Sequence, residues 1–97
     1  MKLRFTPRAL ENIVEIAEYI KERDPSAALR VRAAIYRSLQ TLIAHPYIGR
    51  VQKTEGVRKL VIRRYPYLVY YIVNRSEDEV VVLNVKHAAQ EREHEDT

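Results

Sequence analysis

Two dipeptides, Thr6-Pro7 and Asp24-Pro25, constrain the fold more than any other feature of the sequence. Each places a side-chain acceptor at a helix N-cap and a proline at the first helical position, where the missing amide hydrogen is no loss and φ is already set. The first signal predicts a helix from Pro7 to about Arg23. The second follows after almost no loop, so the next helix folds back antiparallel and the two form a helical hairpin. His45-Pro46 ends the second helix near Ala44. In the first helix Leu10, Ile13, Val14, Ala17 and Ile20 recur at helical spacing opposite Glu11, Glu15, Glu18 and Glu22, which marks it as amphipathic. The second helix is expected to bury Ala28, Val31, Ile35, Leu39 and Leu42 and to turn Arg30, Arg37 and Gln40 to water. His45 sits at its carboxyl end, where the helix dipole favours a cation.

The rest of the chain reads as strands. Lys2 to Phe5 is a short one before the hairpin. Val57 to Arg64 and Tyr67 to Asn74 are rich in β-branched and aromatic residues and join at Tyr65-Pro66, with Pro66 marking a strand entry. Asn74 to Asp78 is a polar turn, and Glu79 to His87 is a further strand whose Val81, Leu83 and Val85 are expected to share one face. Three consecutive strands make an antiparallel meander. With the first strand added at an edge, the order β-α-α-β-β-β predicts an α+β domain, an antiparallel twisted sheet packed against an N-terminal helical hairpin. His45 to Gly56 is left as a loop of a length that is usually functional or mobile. Ninety-seven residues suffice for one core, placed in residues 1–87. Residues 88–97, AAQEREHEDT, form an acidic tail expected to be frayed, or helical only against a partner.

There is no cysteine, so disulfides and thiolate metal sites are excluded, and the amino terminus has no apolar run long enough for a secretory signal or a membrane span. A soluble, cytoplasmic protein is expected. The net charge is +4, and it is unevenly spread. Between His45 and Arg75 the basic residues Arg50, Lys53, Arg58, Lys59, Arg63, Arg64 and Arg75 are opposed only by Glu55, and Tyr47, Tyr65, Tyr67, Tyr70 and Tyr71 lie among them. Basic and aromatic residues in one stretch suit nucleic acid or an acidic protein. A solvated strand face with core tyrosines is the plainer alternative. His45, His87 and His94 have no ligand spacing, so no metal is expected. No Gly-rich phosphate loop or Ser-His-Asp set is present, and no cofactor is expected.

The stretches HPYIGR (His45 to Arg50), GVRKLVIRRYPYLVYYIV (Gly56 to Val73) and VVVLNVKHAAQ (Val80 to Gln90) resemble the ParE branch of the RelE/ParE toxins. The likeness spans nearly the whole chain and agrees with the order of elements. The resemblance implies the toxin of a type II toxin–antitoxin pair, of the kind linked to plasmid stabilisation. Such a toxin is neutralised by a cognate ParD-like antitoxin that wraps an extended and helical tail around it, and it arrests growth when released. ParE-like members poison DNA gyrase by binding, which needs no general acid or base. RelE-like members cut messenger RNA on the ribosome, which needs a base for the ribose hydroxyl, a donor for the leaving oxygen and cations at the phosphate. A remnant that only binds an antitoxin is the third alternative.

Several residues are singled out by these alternatives. His87, at the end of the last strand, is the acid–base candidate if the chain is a nuclease; a sheet-edge histidine bonded to backbone is the bland reading. Ala88 and Ala89 follow it where ribosome-dependent relatives place a tyrosine. Tyr67 stands where many nucleases of the family have an arginine. Arg50, Arg58 and Arg64 are candidates for contacts to phosphate or target, or else loop anchors and solvent-facing cations. Tyr67 and Tyr71 share a strand face and are either core or a stacking platform. Gly49 is expected to supply a turn geometry that other residues resist. Gln90 stands where similar toxins often carry an arginine, which Arg92 replaces only if the tail is helical.

Overall fold

The computed structural model describes residues 1–90. The expectations for Arg92, His94 and most of the acidic tail lie outside the described residues. The elements are β1 (Lys2–Phe5), α1 (Pro7–Arg23), α2 (Pro25–Ala44), β2 (Arg50–Val51), β3 (Val57–Val61), β4 (Tyr67–Asn74) and β5 (Glu79–His87). A helical turn begins at residues 88–90. No helix of the described residues is long and apolar enough to cross a membrane.

Both helix starts follow from their caps. The Thr6 hydroxyl accepts from the Ala9 amide at 3.1 Å, and the Asp24 carboxylate accepts from the Ala27 amide at 3.1 Å. The Ala27 amide first, then the Ser26 hydroxyl donating to Asp24, holds the Asp24 carboxyl below its ordinary pKa. His45 caps α2 through its backbone amide, which donates to the Thr41 carbonyl at 2.7 Å.

The five strands form one sheet in the order β1-β5-β4-β3-β2. The β3-β4-β5 meander is antiparallel as expected, and β1 lies at an edge. Its pairing with β5 is parallel, which makes the sheet mixed. The helical hairpin lies on one face, and the core between the layers includes Leu42, Val69, Tyr71, Val80 and Val82, none of them exposed.

Three details differ from the sequence reading. On α1 the inward face is Ala9, Ile13, Ile16 and Ile20, whereas Leu10 and Val14 are about half exposed and Ala17 is exposed. The helix is rotated by roughly one residue, because Thr6 and Asn12 must meet the edge of β5 beyond the end of β1. The Thr6 hydroxyl donates to the Leu83 carbonyl at 2.7 Å, and the Asn12 carboxamide oxygen accepts from the Val85 amide at 3.0 Å. On β5 the core face is Val80, Val82 and Val85 instead of Val81, Leu83 and Val85. A bulge opposite Tyr70 and Tyr71 pairs Tyr70 with Asn84 and Tyr71 with Val82, so Leu83 is the extra residue and the alternation shifts by one. Finally, β3 ends at Val61 instead of Arg64, and Arg63 and Arg64 fall in the connecting turn.

Candidate functional site

The loop after α2 is fastened by two groups, Tyr71 and Arg58. Tyr71 is fully buried at the centre of β4, and its hydroxyl oxygen accepts from the Gly49 amide at 2.8 Å. Burial pushes the Tyr71 hydroxyl pKa up, partly offset by that amide and by the charge of Arg58. The Arg58 guanidinium donates to the carbonyls of Tyr47 at 3.0 Å and Gly49 at 2.9 Å and lies 5.1 Å from the centre of the Tyr47 ring. Both donor bonds end on backbone, so this guanidinium holds the loop. Gly49 is needed for proximity and not for its dihedral angles. It is absent from the positive-φ residues, whereas a Cβ built on it would lie 2.5 Å from the Tyr71 oxygen. The loop's own two-residue strand, β2, pairs Arg50 with Lys59 and Val51 with Arg58. Fastened this way, it leaves Tyr47, Ile48 and Val51 about half exposed or more.

His87 lies in a different place. It pairs in register with Tyr67, and the two rings meet edge to face with centroids 5.5 Å apart. The His87 Nδ1 accepts from the Ala89 amide at 3.0 Å, so in the neutral ring the proton is on Nε2. Gln90 folds back so that its side-chain oxygen accepts from the His87 amide at 3.0 Å. The two rings line a cleft of about 450 Å³ between α1 and the end of the sheet, together with Asn12, Glu15, Tyr19 and Gln90 among others. Among the described residues no lysine or arginine lines this cleft, and Glu15 adds a negative charge. Tyr67 is only 8% exposed; burial first, then nearby Tyr19, raises its hydroxyl pKa. Tyr71 is fully enclosed, and Tyr67 reaches the cleft with only a small part of its surface.

The third position is the β3-β4 turn. Arg64 sits there at φ 73°, a left-handed conformation that costs a non-glycine residue about 1–2 kcal/mol. Arg63 and Arg64 face Arg30 and Arg37 of α2 across a second cleft of about 690 Å³. The sequence candidates therefore separate into three sets. His87 and Tyr67 come together; Arg58, Tyr71 and Gly49 come together; Arg64 joins arginines of α2. Arg50 stands apart on the sheet face away from the helices.

That open face also carries two residues not singled out from the sequence, Asn84 and Lys86. Arg50, Lys59, Tyr70 and Asn84 follow one another across the strands, and the Lys86 ammonium lies 5.3 Å from the centre of the Tyr70 ring. The Asn84 side-chain oxygen is buried without a hydrogen-bond partner among the described residues. Strand alternation flags Tyr70, and the register of β4 with β5 places Lys86 beside it.

The family model for the ParE toxin of the type II toxin–antitoxin system parDE matches residues 3–92. Y4kP of Sinorhizobium fredii is 38% identical over 90 residues, covering 93% of this chain and 91% of that protein. Toxin RelE2 of Caulobacter vibrioides is 31% identical over 86 residues, covering 89% and 93%. Among solved structures, the chromosomal ParDE system from P. aeruginosa superposes with a TM-score of 0.77 at 24% identity over 90% of this chain and 95% of that one. The isolated E. coli RelE toxin gives 0.65 at 20% identity over 90% and 83%. At such identities the structural likeness speaks for the fold, and the family follows from the sequence matches: the chain belongs to the ParE toxins of type II toxin–antitoxin systems, within the wider RelE/ParE group.

Proposed function

We propose that this toxin acts as ParE-type proteins do, by binding DNA gyrase, and that it does not cut RNA. The observation that carries this reading is the make-up of the His87 cleft. A ribonuclease needs cations where charge builds on the phosphate, yet among the described residues the lining of the His87 cleft includes Glu15 and no lysine or arginine. Arg58 is committed to loop carbonyls, and Arg50 and Arg64 stand elsewhere. Binding to a protein target needs no such assembly.

The partner that restrains the toxin in the cytoplasm is a ParD-like antitoxin with an apolar helical segment. Leu10 and Val14 on α1 and Leu29 and Tyr36 on α2 are all at least half exposed. A groove of about 220 Å³ between the helices is lined by Ile13, Val14, Ile20, Val31 and Ile35 among others. An exposed apolar surface of this kind on a small domain marks a partner site. The related P. aeruginosa structure is of a ParDE system.

The second reading is cleavage of messenger RNA on the ribosome by His87. Its support is the His87-Tyr67 pair beside an acidic residue, and the similarity to toxin RelE2. Controlled expression in bacteria separates the two. Gyrase-dependent DNA breaks with intact messages, unchanged in His87→Ala, are the expected result. Cleaved messages that disappear with His87→Ala establish the nuclease instead. Growth without either signal identifies a remnant that only binds its antitoxin.

A further inference from the structure

The cleft between α2 and the β3-β4 turn has a composition that the gyrase reading leaves unused. Its lining is Arg30, Ala33, Ala34, Arg37, Ser38, Thr41, Arg63, Arg64 and Tyr65, and no carboxylate is among them. Arg30 and Arg37 are seven residues apart on one helix, so they project from one face with a rise between them of about 10 Å. Arg63 and Arg64 close the opposite wall. Among the described residues Arg37, Arg63 and Arg64 form no ion pair, and the one acid near Arg30 is Asp24 at 3.9 Å, with both side chains more than half exposed. Four guanidinium groups line this cleft with no carboxylate among the lining residues, so the local field is positive and favours an anion.

The turn adds a second observation. Arg64 occupies the left-handed region at φ 73°, where glycine fits without strain. Strain of this kind is concentrated at sites where a side chain is needed in one place. Here it aims a guanidinium into the cleft.

We infer that this cleft holds the sugar-phosphate backbone of a single nucleic-acid strand. All four cations are guanidinium groups, whose planar fork suits phosphate oxygens bidentately. The rise of about 10 Å between Arg30 and Arg37 leaves room for more than one phosphate along the cleft. An acidic protein segment fits less well. Protein interfaces rest on large apolar or aromatic anchors, and the floor of this cleft is Ala33 and Ala34, with Tyr65 half-buried beside them. Phosphate binding needs no such anchors. The inference does not depend on the gyrase reading, since it concerns other residues and another ligand.

The test uses the full-length chain and three fluorescent probes in an anisotropy titration across salt concentrations: single-stranded oligothymidylate, a duplex of the same length, and poly-glutamate of equal charge. The single strand binds most tightly. Arg37→Gln with Arg63→Gln lowers the slope of log K against log salt by about 1.4, two contacts at roughly 0.7 each. Ala33→Glu, an exposed helix position that tolerates the change, abolishes binding. Arg64→Gly leaves the thermal midpoint equal or higher and still weakens binding, which a purely structural role for Arg64 does not produce. Lys2→Gln with Arg75→Gln removes the same net charge outside the cleft and serves as the control. Equal loss in the control and cleft variants, preference for poly-glutamate or the duplex, or no binding by any probe overturns the inference.

Discussion

Replacing Gly49 by alanine tests whether the long loop is held by the contact described above. The new Cβ would lie 2.5 Å from the Tyr71 hydroxyl oxygen and 2.7 and 2.9 Å from two ring carbons. Ordinary carbon contacts begin near 3.5 Å, so the ring must retreat by roughly 1 Å. It has nowhere to go, because Tyr71 is fully buried in the middle of the sheet. Overpacking of this kind costs about 1–3 kcal/mol. Relieving it by lifting the loop instead breaks the 2.8 Å bond from the Gly49 amide, and a buried donor without a partner also costs about 1–3 kcal/mol. By either route the expected loss is about 1–3 kcal/mol, a sizeable share of the 5–15 kcal/mol typical of such a domain. For a chain of this size even about 2 kcal/mol lowers the melting temperature by roughly 8–16 °C. Circular dichroism on thermal and urea unfolding, with Tyr71→Phe and the double variant, completes a cycle. Tyr71→Phe removes the oxygen and with it the nearest clash, so the double variant should be less unstable than the two single losses added together. A Gly49→Ala protein within about 0.5 kcal/mol of the parent, the range of neutral surface changes, refutes the reasoning.

Other perturbations follow from the same geometry. Arg58→Gln removes two charge-assisted bonds to the carbonyls of Tyr47 and Gly49. It should cost about 1–3 kcal/mol and speed amide exchange at Ile48, Gly49 and Arg50; unchanged exchange there contradicts the clamp. Thr6→Ala loses both the α1 cap and the bond to the Leu83 carbonyl, for a loss of about 1–2 kcal/mol that Thr6→Ser largely restores. A urea titration of the three proteins decides it. Burial raises the hydroxyl pKa of Tyr67 and Tyr71 above the ordinary value near 10, so both stay neutral in the fold after the unfolded chain begins to ionise. Their contribution is therefore complete below about pH 10 and is lost as pH rises through the folded values. Stability measured above pH 10 should fall less steeply in Tyr71→Phe, and an identical slope excludes Tyr71 as a source.

Much of the fold was legible because local signals act locally. The residues that start both helices are adjacent in sequence to the amides they satisfy, so Thr6-Pro7 and Asp24-Pro25 could be read without knowing what the helices pack on. The bounds of β4 and β5 were equally legible from their β-branched and aromatic runs. The α1 face was not. Leu10, Val14 and Ala17 match helical spacing as well as the true inward set does, and the choice between them is made by Thr6 and Asn12 reaching an edge of β5 far away in the chain. The inward face of β5 was misread because the bulge at Leu83 is a property of pairing with β4, and no pattern within β5 announces it.

The candidate residues show the same division. Residue type alone marked Arg58, Arg64, Tyr71 and His87 as able to carry charge, stack or move a proton, and the resemblance pointed to the right family. The sequence by itself determined the two capped helices, the strand meander and the basic character of the middle of the chain, since these depend on neighbours a few residues away. Only the tertiary structure decided that Arg58 holds a loop, that Tyr71 requires a glycine beside it, that His87 lies in a cleft whose described lining holds no lysine or arginine, and that Arg64 lines a cleft with two arginines of α2. Each of those outcomes depends on groups distant in sequence competing for the same small space, and that competition is settled only when the layers pack.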